Sequence, residues 1–312
     1  MIWTQAHWLY FTVGVIILLM LDLFVFHRKD SESSFGSSAA WTVFWCFLAL
    51  CFNGYIYSVA GSKAATEFLT GYLVEWSLSV DNVFVFAVVF NYFRIPLQNQ
   101  HRVLFWGILG AIIMRFLFIT LGLELLRHFE WIMTIFGALL IFTGIKMLKH
   151  DNDQVNPEDN FVMRIGKKFL RVHPVPSNDV FFIKENGKWY VTSLFLVLLV
   201  LESTDVLFAV DSVPAIFGIT RDPYIVFTSN IAAILGLRSL YFLLAGIVQY
   251  FRYLNYGLCG ILVFVGVKMN VEYWFRPEDG HHLIPPFVSL AVIVAILSIS
   301  IAASVMVKKT AD

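Results

Sequence analysis

The stretch "FLTGYLVEWSLSVDNVFVFAVVF" (68–90) decides the architecture. It is long and apolar enough to cross a hydrocarbon layer about 30 Å thick as a helix rising about 1.5 Å per residue. Its centre nevertheless carries Glu75 and Asp81 within "EWSLSVDN" (75–82). An ionised carboxylate at that depth costs several kcal/mol, about 2.5 or more on any scale. Something in the fold has to offset that cost.

The rest of the chain sets the same problem. Of its 312 residues 59% are hydrophobic and 14% charged, with 31 Phe. Soluble domains hold roughly 45–50% apolar and about 25% charged residues. The composition implies an all-α integral membrane protein. A net charge of zero argues against a nucleic-acid partner. Cys46, Cys51 and Cys259 lie inside apolar segments with neither metal-ligand spacing nor a disulfide framework. Residues 7–26 lack a basic leader and a small-residue cleavage site, and read as a retained first span.

Apolar runs predict about nine transmembrane helices, near 7–26, 39–60, 67–90, 103–123, 131–148, 190–216, 224–246, 254–274 and 284–307. With the N-terminus outside, fifteen Lys and Arg fall on inner loops and ends and five on the outer side. That bias orients the chain with a cytoplasmic C-terminus. The organisation expected is a two-helix segment (1–66), a first helix triplet (67–148), a loop (149–189), a second triplet (190–274), and an outer loop with a last helix (275–312). Within the loop, "FFIKENGKWYVT" (181–192) places Asn-Gly between β-prone runs and predicts a hairpin. "FVMRIGKKFLRV" (161–172) is basic and amphipathic, and reads equally as a helix lying on the inner leaflet or as a solvated linker.

The sixth run repeats the third. "LESTDVLFAVDSVPAIF" (201–217) sets Asp205 over Glu75, Asp211 over Asp81 and Ser212 over Asn82. "GAIIMRFLF" (110–118) and "AILGLRSLYF" (233–242) then align Arg115 with Arg238, and "IFTGIKM" (141–147) aligns with "VFVGVKM" (263–269). Helices 3–5 therefore recur as 6–8. Three helices repeated in tandem enter from opposite sides, which makes a three-plus-three inverted repeat with its site near the midplane.

Helical spacing puts Glu75, Ser79 and Asn82 on one face, and Glu202, Asp205 and Ser212 on another. Asp81 and Asp211 stand beside these stripes. Pro214 lacks an N–H, so loss of regular helix between about 208 and 214 is expected, turning Asp211 and a bare carbonyl inward. Three uses of the acids stay open. Asp81–Arg115 and Asp211–Arg238 could be buried ion pairs that fix packing. The carboxyls could be protonated. A cation could complete the site, with Ser79, Ser203 and Thr204 hydroxyls as further ligands. Hard oxygen donors suit Mn, Mg or Ca better than Cu(I). Carboxyls that take either protons or a divalent cation make an antiporter. Neither H-E-x-x-H nor G-x-S-x-G nor an activated Cys/His pair is present, and no ATP-binding loop, so neither enzyme nor ATP-driven pump is expected.

"EWSLSVDNVFVF", "ESTDVLFAVDSVPAIF", "TSNIAAILGLRSLYFLLAG" and "LDLFVFHRK" (21–29) resemble the TerC family of tellurium-resistance-associated membrane proteins in the lysine-exporter superfamily. The resemblance implies a bacterial inner-membrane manganese exporter, or a supplier of metal to exported enzymes. It implies no resident cofactor, with Mn²⁺ as the transported ion and protons as counter-ion. The metal site would be Glu75, Asp81, Asn82, Glu202, Asp205, Asp211 and Ser212, with Arg115 and Arg238 as supporting ion pairs. The alternative is a membrane assembly or interaction factor linked to tellurite resistance or to metallation of exported proteins. Outside this set, Asn230 is a candidate for lining the site. Asp22 is expected to pair or snorkel near the first span's inner end, and His281 and His282 to be a solvated outer loop.

The charge bias generates a topology test. Green fluorescent protein fused after residue 312 should fluoresce, and alkaline phosphatase at the same point should be inactive. Active phosphatase there would reverse the orientation.

Overall fold

A computed structural model describes residues 3–26, 35–149, 171–172, 180–185, 187–244, 253–275 and 283–306. Nine helical elements are present among them: α1 (Gln5–Phe26), α2 (Phe35–Tyr92), α3 (Leu97–His128), α4 (Ile132–Lys149), α5 (Ser193–Phe217), α6 (Pro223–Leu235), α7 (Leu237–Leu244), α8 (Leu254–Trp274) and α9 (Pro286–Met306). Between α4 and α5, β1 (Phe182–Glu185) and β2 (Lys188–Val191) pair antiparallel, with Glu185 opposite Lys188 and Gly187 at φ 75°. That positive φ belongs to glycine's range. Most of 161–172 lies outside the described residues.

Five of these helices are long and apolar enough to cross a membrane, or six if α6 and α7 form one bent span. α1 and α4 are apolar over shorter stretches. The protein is an all-α membrane protein. Helices suit such a chain because each satisfies its own backbone hydrogen bonds where no water is available. Large apolar side chains face outward, including Leu9, Val13 and Ile16 on α1 and Phe287 and Ile299 on α9, as lipid contact requires.

Two breaks matter. α2 runs for 58 residues, which as one rod would measure about 87 Å, far beyond a bilayer. Gly61, at φ 81° and ψ −177°, divides it into arms 35–60 and 62–92. The second break is the 41° bend between α6 and α7. It falls at Gly236, where a Cβ would meet the Trp45 side chain at 3.3 Å. The break expected before Pro214 is not found: α5 is one helix from Ser193 to Phe217. Pro214 stands in its last turn, so its missing N–H removes a single bond.

Glycines set the closest helix contacts. On α4 and α8, a Cβ at Gly144 would lie 3.0 Å from the Cys259 carbonyl, and one at Gly266 would lie 2.5 Å from the Gly137 carbonyl. α2 meets α6 where Gly71 faces Ser229. α6 begins with an Asp222 cap, whose Oδ1 accepts from the Tyr224 and Ile225 amides, while Trp3 Nε1 donates to Oδ2 at 2.8 Å.

Two apolar clusters fill the interior. One gathers Val80, Val83, Leu104, Ile108, Ala111, Val197, Leu201 and Ile234. The other gathers Val74, Ile119, Ala209, Val213, Val226 and Leu262. On each of α2, α3, α5 and α6 the polar position falls between them: 75, 115, 205 and 230.

Gly266→Ala should destabilise by about 1–3 kcal/mol, because the clash is with backbone that cannot rotate away. Gly54→Ala, with nothing within 4 Å of its Cβ, should be neutral or slightly stabilising. Melting temperatures of the purified protein in detergent would separate the two; equal melting would remove the close α4–α8 approach.

Candidate functional site

The centre of the protein is a guanidinium between two acids. Asp205 is the middle residue of the 25-residue α5, and Arg115 and Glu75 lie well inside α3 and the second arm of α2. Glu75 is 0% and Arg115 1% exposed. Arg115 Nη1 donates to Glu75 Oε1, to Ser212 Oγ at 2.8 Å and to Asn230 Oδ1 at 3.3 Å. Its Nη2 stands 3.7 Å from Asp205 Oδ1. Asn230 Nδ2 closes the ring by donating to Glu75 Oε2 at 3.1 Å. Four helices thus share one polar layer. Burial of each charge is offset by opposite charge and hydrogen bonds, as a low-dielectric interior demands.

Among the described residues two polar atoms of the ring have no hydrogen-bond partner, Asp205 Oδ2 and Arg115 Nε, as do Ser79 Oγ and Asn82 Oδ1 further along α2. Buried donors and acceptors are nearly always satisfied in folded proteins, so such atoms mark a place for chemistry. Asp205 is also the one polar side chain lining a cavity of about 10 Å³, walled by Phe86, Leu104, Gly107, Ile108, Ala111, Leu201 and Leu237.

Glu202, Asp205 and Ser212 all turn toward α3, as their spacing implied. Glu202 does not join the Arg115 ring. Its carboxylate packs on Gly110, where a Cβ would come within 2.0 Å of Oε1. Asp211 turns elsewhere, to α4, where Thr143 Oγ1 donates to it at 3.1 Å. Of the expected pairs, Asp81 with Arg115 falls on a side chain outside the described residues. Among the described residues Arg115 takes Glu75 and Asp205 as its acids. Asp211 accepts from Thr143, and Arg238 is fully buried on α7 just past the Gly236 bend. Asp211 turns this way because the helix stays regular at 208–214: without unwinding, it stays about 120° around the helix from Asp205. Ser203 and Thr204 donate to the Val200 and Leu201 carbonyls of their own helix.

The Asp81 side chain, which the sequence placed in the site, lies outside the described residues, as do those of Asp22, His281 and His282. Among the described residues no three His, Cys, Asp or Glu side chains converge as a metal-binding group. Two participants were under-read in the sequence. Asn230 is a full member of the ring. Gly110, silent by type, is what gives Glu202 its place. Lys268, counted with the outer loop charges, is 1% exposed and 3.8 Å from Glu272.

Residues 60–312 match the family described as "Integral membrane protein TerC family". The chain belongs to the TerC family. The match covers every residue of the polar ring, Glu75, Arg115, Asp205, Ser212 and Asn230. Among relatives, an uncharacterized membrane protein of Myxococcus xanthus is 46% identical over 299 residues, 96% of this chain and 92% of that protein. Two proteins named "Putative membrane-bound redox modulator Alx" are similar as well. The one from Salmonella typhi is 42% identical over 318 residues, covering 99% of this chain and 97% of that protein. The one from Escherichia coli K12 is 45% identical over 303 residues, covering 94% and 92%. No solved structure matches the chain.

Arg115→Ala leaves Glu75 and Asp205 buried without their cation, and should cost about 3–5 kcal/mol. Thr143→Val removes one hydrogen bond to Asp211 and should cost about 1 kcal/mol. Thermal melting in detergent gives the ranking; an Arg115→Ala protein as stable as the parent would show that the ring does not hold the helices together.

Proposed function

We propose that this protein is a secondary transporter, not an enzyme, that exports a divalent cation, Mn²⁺ first among candidates, in exchange for protons. The observation that carries the reading is the midspan pair Glu75 and Asp205, donated by different helices, with Asp205 Oδ2 unsatisfied among the described residues and Ser79 Oγ and Asn82 Oδ1 unsatisfied one and two turns further along α2. These are hard donors of the kind Mn²⁺ and Mg²⁺ take. The ligand set proposed from the structure is Glu75, Asn82, Asp205 and Ser212. Asp81 and Asp211 are read as flanking acids, and Arg238 as a supporting cation. A divalent ion at this place competes with Arg115 for the same carboxylates, so its arrival and departure would be coupled to rearrangement of the ring.

The architecture we propose behind this is nine spans with helices 3–5 and 6–8 in inverted repeat, in the inner membrane, N-terminus outside. Reciprocal contacts support it. The repeat aligns Gly144 with Gly266, and by the same offset Gly137 with Cys259. Gly144 faces the Cys259 carbonyl while Gly266 faces the Gly137 carbonyl. Each contact is the other with the halves exchanged, which is what a two-fold relation requires.

The energetics favour exchange. Moving a divalent cation outward against about 100 mV costs roughly 2 × 2.3 kcal/mol. Two protons entering per ion cancel the charge moved. In liposomes carrying an internal pH dye, Mn²⁺ flux should drive protons the opposite way, and an imposed pH gradient should drive Mn²⁺ uphill. Glu75→Gln and Asp205→Asn should each abolish both fluxes while the protein remains folded. Mn²⁺ flux that follows voltage and ignores the pH gradient would replace antiport by a uniporter. Normal flux in both variants would refute the site.

A further inference from the structure

The hairpin between α4 and α5 has two unlike faces. Residues opposite each other in its register share a face, so Phe182, Lys184, Trp189 and Val191 form one and Ile183, Glu185, Lys188 and Tyr190 the other. Ile183 and Tyr190 are half-buried, whereas Phe182 is 51% and Trp189 64% exposed. Lys184 stands beside them, its Nζ 5.8 Å from the centre of the Trp189 ring. Large apolar side chains exposed together mark an interaction surface.

The helix bundle fixes where that surface lies. Thr192, the residue before α5, donates its Oγ1 to the Val180 carbonyl at 2.6 Å and its amide to the Phe181 carbonyl at 3.0 Å, and the Val191 amide donates to the Arg171 carbonyl at 2.9 Å. Val172 and Phe181 pack on the apolar cluster that holds Val197 and Leu201. Phe182 meets Phe195, in the first turn of α5, with ring centroids 4.8 Å apart. Phe195 precedes the midspan Asp205 by ten residues, about 15 Å of helix, which is half of a hydrocarbon layer about 30 Å thick. The exposed face therefore stands at the level where hydrocarbon gives way to headgroups.

We propose that the face of Phe182, Lys184 and Trp189 docks on anionic phospholipid headgroups of the leaflet in which α5 begins, with the two rings in the boundary layer and Lys184 on the phosphates. Three observations favour this occupant over a second copy of the chain or a protein partner. The face is continuous, through Phe182 and Phe195, with a helix that crosses the bilayer. Tryptophan suits this boundary because its ring is apolar along its body and carries one N–H donor. Among the described residues from 171 to 191, the cations Arg171, Lys184 and Lys188 outnumber the acid Glu185, and basic side chains at a membrane surface are drawn to anionic lipid. The lysine stem adds reach, since its methylenes stay along the apolar layer while the ammonium rises to the phosphates. On the topology proposed above, that leaflet is the cytosolic one. The docking holds whatever the protein transports.

The test places the full chain, with Cys46, Cys51 and Cys259 replaced by Ala, in vesicles of phosphatidylcholine and phosphatidylglycerol. A nitroxide label is attached at Trp189→Cys or, on the opposite face, at Lys188→Cys. The label at 189 should be relaxed strongly by oxygen and weakly by a water-soluble nickel chelate, and the label at 188 the reverse. Equal access of the chelate to both would put the face in water, and shielding of 189 from both reagents would put protein over it; either result overturns the proposal. With the native cysteines in place, the tryptophan emission lost in Trp189→Phe should be the part quenched by lipids brominated near the top of the acyl chain, and no quenching of that part would again overturn it. The headgroup is tested by melting in detergent. Phosphatidylglycerol should raise the melting temperature of the parent by more than phosphatidylcholine or inorganic phosphate does, and Lys184→Gln combined with Trp189→Ala should cut that excess by about half or more. An undiminished excess in the double variant would place the anionic lipid elsewhere on the protein and remove this docking surface.

Discussion

A guanidinium in the middle of a bilayer cannot stand alone, and the organisation of this protein follows from that constraint. Arg115 requires counter-charge at its own depth, and α3 alone has none to offer. Glu75 comes from α2, Asp205 and Ser212 from α5, and Asn230 from α6. Meeting the requirement draws four helices to one level. Between lipid-facing helices no hydrophobic force does this work, because lipid tails are as apolar as leucine. The polar layer and close glycine contacts take over the role that an oily core has in a soluble protein. The apolar clusters on either side then isolate the layer from water and strengthen every charge interaction within it.

The same layer holds more acceptors than one arginine can use. A purely structural ion pair would be complete once its partners were satisfied. Here Asp205 Oδ2 is left over among the described residues, as are Ser79 Oγ and Asn82 Oδ1 further along α2, and Glu202 rests against a bare glycine. On the transport reading proposed above, surplus oxygen donors beside an internal cation would serve a passing ion, and Arg115 would compensate the carboxylates between ions.

Irregular backbone is placed with the same economy. In hydrocarbon an interrupted helix exposes polar groups, so breaks are tolerated where glycine and a packed neighbour allow them. Gly61 interrupts a segment too long for one crossing, and Gly236 bends the α6–α7 pair against Trp45 just before the buried Arg238. Pro214 is the more conspicuous residue in the sequence, yet it sits where a helix is already ending and disturbs little.

How much of this was legible depends on range. The sequence by itself determined a helical membrane protein, the acids at midspan and the faces they occupy. Hydropathy and 3.6-residue periodicity are local properties that each segment carries with it. Thus Glu75 was grouped with Ser79 and Asn82, and Asp205 with Ser212, with the buried cation on the following helix. Only the tertiary structure decided that Arg115 chooses Glu75 and Asp205, that Asp211 turns to Thr143, and that Asn230 completes the ring. Those contacts join residues 40 to 115 or more positions apart. Nothing in a segment's own pattern specifies which distant face it will meet. Gly110 shows the limit most plainly. A glycine has no side chain to announce a role, and its part in placing Glu202 exists only once α3 and α5 lie against each other.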